Sequence, residues 1–554
     1  MLRSLADRYG DREAQLRGDE RLTFRELERR SAALARGLLA HGAGKGTKVA
    51  LLMPNGPQFT LFFMAAARIG AIVAPLSTLY KARELAWVLG NCDAQILVMA
   101  DRYLSHDYLA RLEEAFPEIE GQAFGSLALT GAPYLRSVFV HGDCDPSWGA
   151  PALQTLTELA AAHPGMDDAF LEAVEANVVE ADALCMIHTS GSTANPKGVL
   201  HGHGPMLRHT YQMATYYWGG SGDRVIGNRP HFWVAGLSAT LFHCLHMGCC
   251  HITPDDLSGA ELLRLIETEG ATAICGDEAW FNALAADPAV QAAGYGFQRV
   301  VIDCASIFRH GPHGPKLLNP ASLAQDPALG PVPVDRVARC YGMTETLGGH
   351  TTLPTGELAP ADQARVCGRA VPGVELRVEN PETGELAPPG EIGHLYVRGY
   401  CLMQGLYKKE RAETFRSDGF YDTGDLVSVD AEGYLKFSSR TGDVIKVHGA
   451  NVAPLEVELC LASLPGVARS AVVGLPRNEA DSLLVAAVEL NEGASFDEAR
   501  LLAGLKSVLS SYKVPRRIVP LAPDAFPLTG SGKVKKADLV ALLKARLEAE
   551  EAGR

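Results

Sequence analysis

The sequence predicts an α/β protein with a large N-terminal domain of helix-covered sheets, a small β-rich subdomain, and a small α+β C-terminal domain. Three observations carry this. Helical and strand-like apolar patterns alternate from about residue 24 to residue 305. Around residue 365 they give way to short strands punctuated by Gly, Pro and Asp. The 554 residues also exceed the length at which a single hydrophobic core stops growing. The expected division is 1–440 for the N-terminal domain, its β-rich part at about 365–440, and 441–554 for the C-terminal domain.

The alternation can be followed element by element. TFRELERRSAALARGLLAHG (23–42) has the apolar spacing of an amphipathic helix, and KVALLMPN (48–55) reads as a buried strand. A helix is expected over Pro57–Ile69 and a second strand at AIVAPLS (71–77). AQILVMA (94–100) and RSVFVHG (136–142) continue the series, and ALCMI (183–187) precedes a Gly/Ser/Thr loop. GCCHITP (248–254), ATAICG (271–276) and RVVIDCA (299–305) are further strand-like runs, with a helix expected over Leu257–Glu269. Past residue 365, VELRVENPETGELAPPGEIGHLYVRG (374–399) reads as hairpins. Beyond the boundary segment 438–451 the pattern predicts strands at 469–476 and 483–491 and helices over 497–510 and 535–550.

A formal charge of −14 disfavours general attraction to nucleic acid or to an anionic membrane, so an anionic ligand must be met by local positive groups. The twelve cysteines show no CxxC pair and no framework spacing, which reads as reduced thiols in a cytoplasmic protein. Charges interrupt the first 24 residues every few positions, excluding a signal peptide. The apolar run 59–76 is broken by Arg68, short of the roughly 18–20 residues a spanning helix needs, so no integral membrane segment is expected. Oligomeric state is left open.

Four short stretches carry chemistry. In TSGSTANPKG (189–198) the amides of a Gly/Ser/Thr loop can converge on an anion and Lys197 adds a fixed charge, which suggests a phosphate, although the Walker spacing is absent. YGMTET (341–346) sets an acid, Glu345, beside hydroxyls, a set of oxygens suited to Mg²⁺. YDTGDLV (421–427) places Asp425 on a turn, where a carboxylate can accept from vicinal hydroxyls. PLTGSGKVKK (527–536) sets Lys533 between a Gly-rich turn and a helix.

In this order the four stretches resemble the adenylate-forming superfamily of acyl- and aryl-CoA synthetases, luciferases and peptide-synthetase adenylation domains, over about residues 20–540. The resemblance implies ATP, Mg²⁺ and CoA as co-substrates or cofactors. It assigns Thr189, Ser190, Gly191, Ser192, Thr193 and Lys197 to the β- and γ-phosphates, with Thr193 and Glu345 near the metal. Thr344 takes the α-phosphate, Tyr341 the adenine, Asp425 the ribose, and Arg440 the ribose or a phosphate. Gly449 stands beside pantetheine, and Lys533 is the lysine of a mobile C-terminal domain that stabilises charge during attack of a carboxylate on the α-phosphorus. The implied reaction makes an acyl-adenylate and pyrophosphate, then a thioester and AMP.

Two departures stand out. The hinge position, usually Asp or Lys in the family, is Gly442, and the adenine-facing Gly-Gly-Ala-Pro segment is replaced by Asp303, Cys304 and Ala305. Acetate-type relatives carry a tryptophan at Gly342; glycine there leaves space for a larger acid. Trp233 reads equally as core packing or as pocket lining. With Gly236 and Met343 it marks a largely uncharged pocket for a medium- or long-chain fatty, alicyclic or aryl acid. Transfer to a carrier protein, a luciferase-like oxygenase and a catalytically quiet nucleotide- or acyl-binding protein stay open beside the acid:CoA ligase.

Overall fold

A computed structural model describes residues 1–189, 196–216, 220, 222–276, 278–301, 304–311, 314–319, 340–354, 357, 359–360, 366–441, 445–447, 450–452, 454–478, 481–509, 513–529 and 532–552. The chain forms two compact units, one of residues 1–375 and 398–421, the other of residues 376–397 and 422–554. Segments 376–397 and 422–440 thus cluster with the C-terminal residues, whereas the sequence pattern places its division at 440/441.

The first unit contains two eight-stranded sheets. In one, the strands Ala183–Thr189, Ile72–Pro75, Lys48–Leu52, Ile96–Ala100, Ser137–His141 and Gly149–Pro151 lie side by side in parallel. Lys197–Gly202 and Gly405–Leu406 extend it antiparallel past Ala183–Thr189. The alternation of strand and helix read from the sequence is the reason: parallel neighbours need a crossover, and the crossovers here include the helices Pro57–Arg68 and Ala82–Asn91. Pro57–Arg68 is buried along its whole length except Arg68, as expected of a helix apolar all round, and it contributes Phe59, Phe62 and Phe63 to the core.

The helix Phe24–Ala40 packs beside it and is capped at its start. The Thr23 hydroxyl accepts from the Glu26 amide, and the Glu26 carboxylate accepts from the Thr23 amide. The second sheet mixes directions. Its parallel pairs include Glu13–Arg17 with Cys250–Ile252, joining residues some 236 apart in sequence.

The second unit holds all but the end residues of a four-stranded sheet, ordered Val374–Glu379, Ile392–Gly399, Tyr421–Val429, Leu435–Arg440. It also holds an α+β layer in which Val467–Asn478 and Asp481–Leu490 run antiparallel and Arg517–Pro520 joins in parallel. Strand alternation sorts that layer's core. Val472, Leu484, Ala486 and Val488 meet the helices Pro454–Ala462 and Glu498–Lys506, while Val473, Val485 and Ala487 meet Leu539, Leu543 and Leu547 of the helix Lys536–Ala552.

Among the described residues no helix is long and apolar enough to cross a membrane. The cysteines are free thiols, most of them buried.

Candidate active site

Strands Ala183–Thr189 and Lys197–Gly202 form an antiparallel hairpin in which Thr189 pairs with Lys197. Its mouth opens at the carboxyl end of a strand that runs parallel to the sheet, the edge at which open α/β sheets bind ligands. Thr189 and Lys197 are both half-buried there. Ser190, Gly191, Ser192 and Thr193 lie outside the described residues.

The YGMTET stretch forms a tight turn. Tyr341–Met343 pairs with Gly348–Thr352, and Thr344–Thr346 make a single 3₁₀ turn closed by Leu347 in the left-handed region, φ 59°. Each turn residue is held from outside. The Thr344 carbonyl accepts from His201 Nε2 at 2.8 Å, the Glu345 carbonyl accepts from the Met403 amide at 2.8 Å, and Thr346 Oγ1 bonds His350 Nδ1 at 2.9 Å. Tyr341 stands edge-on to the His350 ring, centroids 5.0 Å apart. Burial pushes His201 and His350 down to about 3, so both rings are neutral at pH 7.

A cavity of about 170 Å³ adjoins this turn. Gly342, Met343, Leu347, Val234 and Ala235 line it together with polar groups, His209 and Arg229 among them. Arg229 also donates to the Gly276 carbonyl at 3.0 Å. His209 bonds Tyr400 through Nδ1 at 3.0 Å. The lining is therefore less uniformly apolar than the sequence suggests.

Trp233 and Gly236 lie outside this lining. Trp233 is half-buried and packs edge-on to Phe232, and a Cβ on Gly236 would come within 2.0 Å of the Pro230 carbonyl oxygen. Gly342 has a second constraint as well: a Cβ there would sit 1.9 Å from the Gly348 carbonyl oxygen, so glycine is demanded by the hairpin backbone itself. Of the adenine-facing segment, Cys304 and Ala305 are buried in the strand Cys304–Gly311, and Asp303 lies outside the described residues.

In the second unit Asp425 and Arg440 are direct partners on neighbouring antiparallel strands, and Arg440 Nε meets Asp425 Oδ1 at 2.8 Å. The Asp425 side chain is 2 % exposed while that of Arg440 is 57 % exposed, so the guanidinium joins a buried carboxylate to solvent. The turn expected at Asp425 is instead the interior of the strand Tyr421–Val429, in which Gly424 takes φ 68°. Lys533 is exposed next to the Leu528–Val534 bridge. Its amide donates to Thr529 Oγ1 at 3.1 Å, and its carbonyl accepts from the Thr529 amide at 2.7 Å. Gly442 and Gly449 lie outside the described residues.

The sequence matches the AMP-binding enzyme family over residues 2–407 and the AMP-binding enzyme C-terminal domain over residues 456–533. The chain belongs to the AMP-binding enzyme family. This AMP-binding enzyme is an adenylate-forming protein of the acyl-CoA synthetase type. It is 27% identical to a mitochondrial medium-chain acyl-CoA ligase, ACSF2, of Mus musculus over 97% of this chain and 86% of that one. It is 29% identical to a feruloyl-CoA synthase of Amycolatopsis sp over 94% of both chains. Among solved structures, ATP-bound MatB from Rhodopseudomonas palustris superposes with a TM-score of 0.74 at 25% identity, covering 98% of each chain. The adenylate-forming fold read from the four stretches is the fold observed.

Sequence reasoning missed His201, His209 and His350. Their pattern offers a faint signal: a histidine among Val199, Leu200 and Gly202 interrupts a strand that is otherwise free of polar side chains beyond its opening lysine.

Proposed function

We propose that this AMP-binding enzyme is an acid:CoA ligase that uses ATP to convert a carboxylic acid to its acyl-adenylate, releasing pyrophosphate, and then passes the acyl group to CoA, releasing AMP. One observation carries the reading. The strand Lys197–Gly202 carries the loop lysine at one end and, four residues on, its His201 holds the Thr344–Thr346 turn that bears Glu345. The acyl-CoA and feruloyl-CoA ligases among its relatives support thioester formation as the second step.

In this reading Lys197 neutralises the outer phosphates and Thr344 orients the α-phosphate. A carboxylate is already ionised at pH 7, so the acid attacks the α-phosphorus without a general base. Lys533 brings an ammonium to that phosphorus, where two anions are driven together. Asp425 accepts from the ribose hydroxyls, with Arg440 holding its second face. Glu345 is a hard oxygen donor on a turn whose backbone is pinned, which fits Mg²⁺; the ion would supply charge neutralisation at the phosphates.

The acid is a single-ring aryl or alicyclic acid or a medium-chain acid. The cavity beside Met343, about 170 Å³, is close to the roughly 150 Å³ that accepts one benzene ring. The test is a panel of such acids assayed for pyrophosphate exchange and for thioester. Exchange without thioester on adding free CoA would replace CoA with a carrier-protein acceptor.

A further inference from the structure

His201 is chemically out of place. It lies within the strand Lys197–Gly202, fully buried, in the company of Val199 and Leu200. Burial holds the ring neutral, with its pKa down at about 3. Its Nδ1 has no hydrogen-bond partner among the described residues. An aliphatic side chain would fill the same space without leaving a polar nitrogen dry, so the histidine is explained by its other nitrogen. That nitrogen, Nε2, is 2.8 Å from the Thr344 carbonyl oxygen. A carbonyl only accepts, so Nε2 carries the proton and donates.

We infer that His201 is a positioning residue for the reaction: its Nε2–H holds the Thr344–Glu345 peptide in register with Lys197 on the same strand. Alternation along the strand puts residues 197, 199 and 201 on one face, and four residues of strand set a fixed separation of about 13 Å between lysine and histidine. A second tie runs beside the first. The Met403 amide donates to the Glu345 carbonyl, and the next amide, Gln404, donates to the Leu200 carbonyl, both at 2.8 Å. Turn and strand are thus joined once by a side chain and once by backbone. His201 touches no reacting atom; it acts through the orientation of Thr344 and Glu345. The inference rests on the ligase reading, in which those two residues face the phosphates and the metal.

The test compares His201→Gln with His201→Met in the full-length enzyme. The two side chains are nearly isosteric, and glutamine alone keeps an N–H donor where Nε2 stands. For an acid that supports exchange in the wild type, His201→Gln should stay within about threefold in kcat. His201→Met should fall about tenfold or more at an ATP KM that changes less than about threefold, the loss expected when one hydrogen bond no longer positions a transition-state contact. The thermal midpoint of His201→Met should fall by no more than a few degrees, leaving both variants folded at the assay temperature. Equal kcat in both variants, or a loss in His201→Met that only tracks a lower midpoint, overturns the inference. Should the methionine variant not fold, the ring tautomer of the wild type decides: ¹⁵N-histidine spectra should show a neutral His201 protonated at Nε2 with a slowly exchanging proton, and an Nδ1–H tautomer overturns it. A wild type that exchanges with no acid refutes the ligase reading instead, and the tautomer still settles the hydrogen bond.

Discussion

Lys533 is exposed and tied to Thr529 through its own amide and carbonyl, so replacing its side chain leaves both bonds intact. Lys533→Ala should lower acid-dependent adenylation by at least about a hundredfold while ATP affinity changes only a few-fold, because the ammonium acts on charge that develops in the transition state. Rapid-quench measurement of acyl-adenylate beside equilibrium ATP binding checks this, and adenylation near the wild-type rate would remove Lys533 from the mechanism. At Gly342 the sequence suggests room for substrate, and a tryptophan there would be expected to shorten the preferred acid. The 1.9 Å approach to the Gly348 oxygen changes that expectation. Even Gly342→Ala should lower the melting temperature, by about 4 °C or more if the hairpin must shift. An alanine variant with unchanged melting temperature and altered acid preference would restore the simpler view. The family was legible because each of the four stretches is contiguous. His201 was not, because its meaning depends on a carbonyl 143 residues away.

Elements were legible where local chemistry fixes them. The sequence places a helix at Pro57–Ile69 and the structure has Pro57–Arg68; it expects one over 257–269 and the structure has Gly259–Glu269, begun by Ser258 accepting from the Glu261 amide. The capping box at Thr23 and Glu26 is a further local device, and Thr23→Ala should destabilise the first unit by about 1 kcal/mol, measurable by chemical denaturation. No change would mean that the helix start is held by its packing alone. Pairing between distant segments was not legible: no local pattern announces that Glu13–Arg17 runs parallel to Cys250–Ile252.

Across the whole molecule the buried histidines set a pH dependence. Burial lowers His188, His209, His246 and His251 each to about 4, against about 6.5 in an unfolded chain. Between those values the unfolded state binds protons that the native state refuses, so stability rises with pH there and is lost as pH falls below about 6.5. The melting temperature should drop by at least about 5 °C from pH 7 to pH 5 in buffers of equal ionic strength. A flat profile over that range would mean that these rings find proton-accepting partners in the native state.

In the proposed reaction this chain activates a carboxylic acid on ATP and delivers it to CoA. Carboxylate-dependent exchange of pyrophosphate into ATP, run over single-ring aryl, alicyclic and medium-chain acids with thioester followed in parallel, tests it most directly. Exchange should require one of these acids, and thioester should appear only when CoA is added. Absence of exchange with every acid in the panel, while ATP still binds, would contradict it.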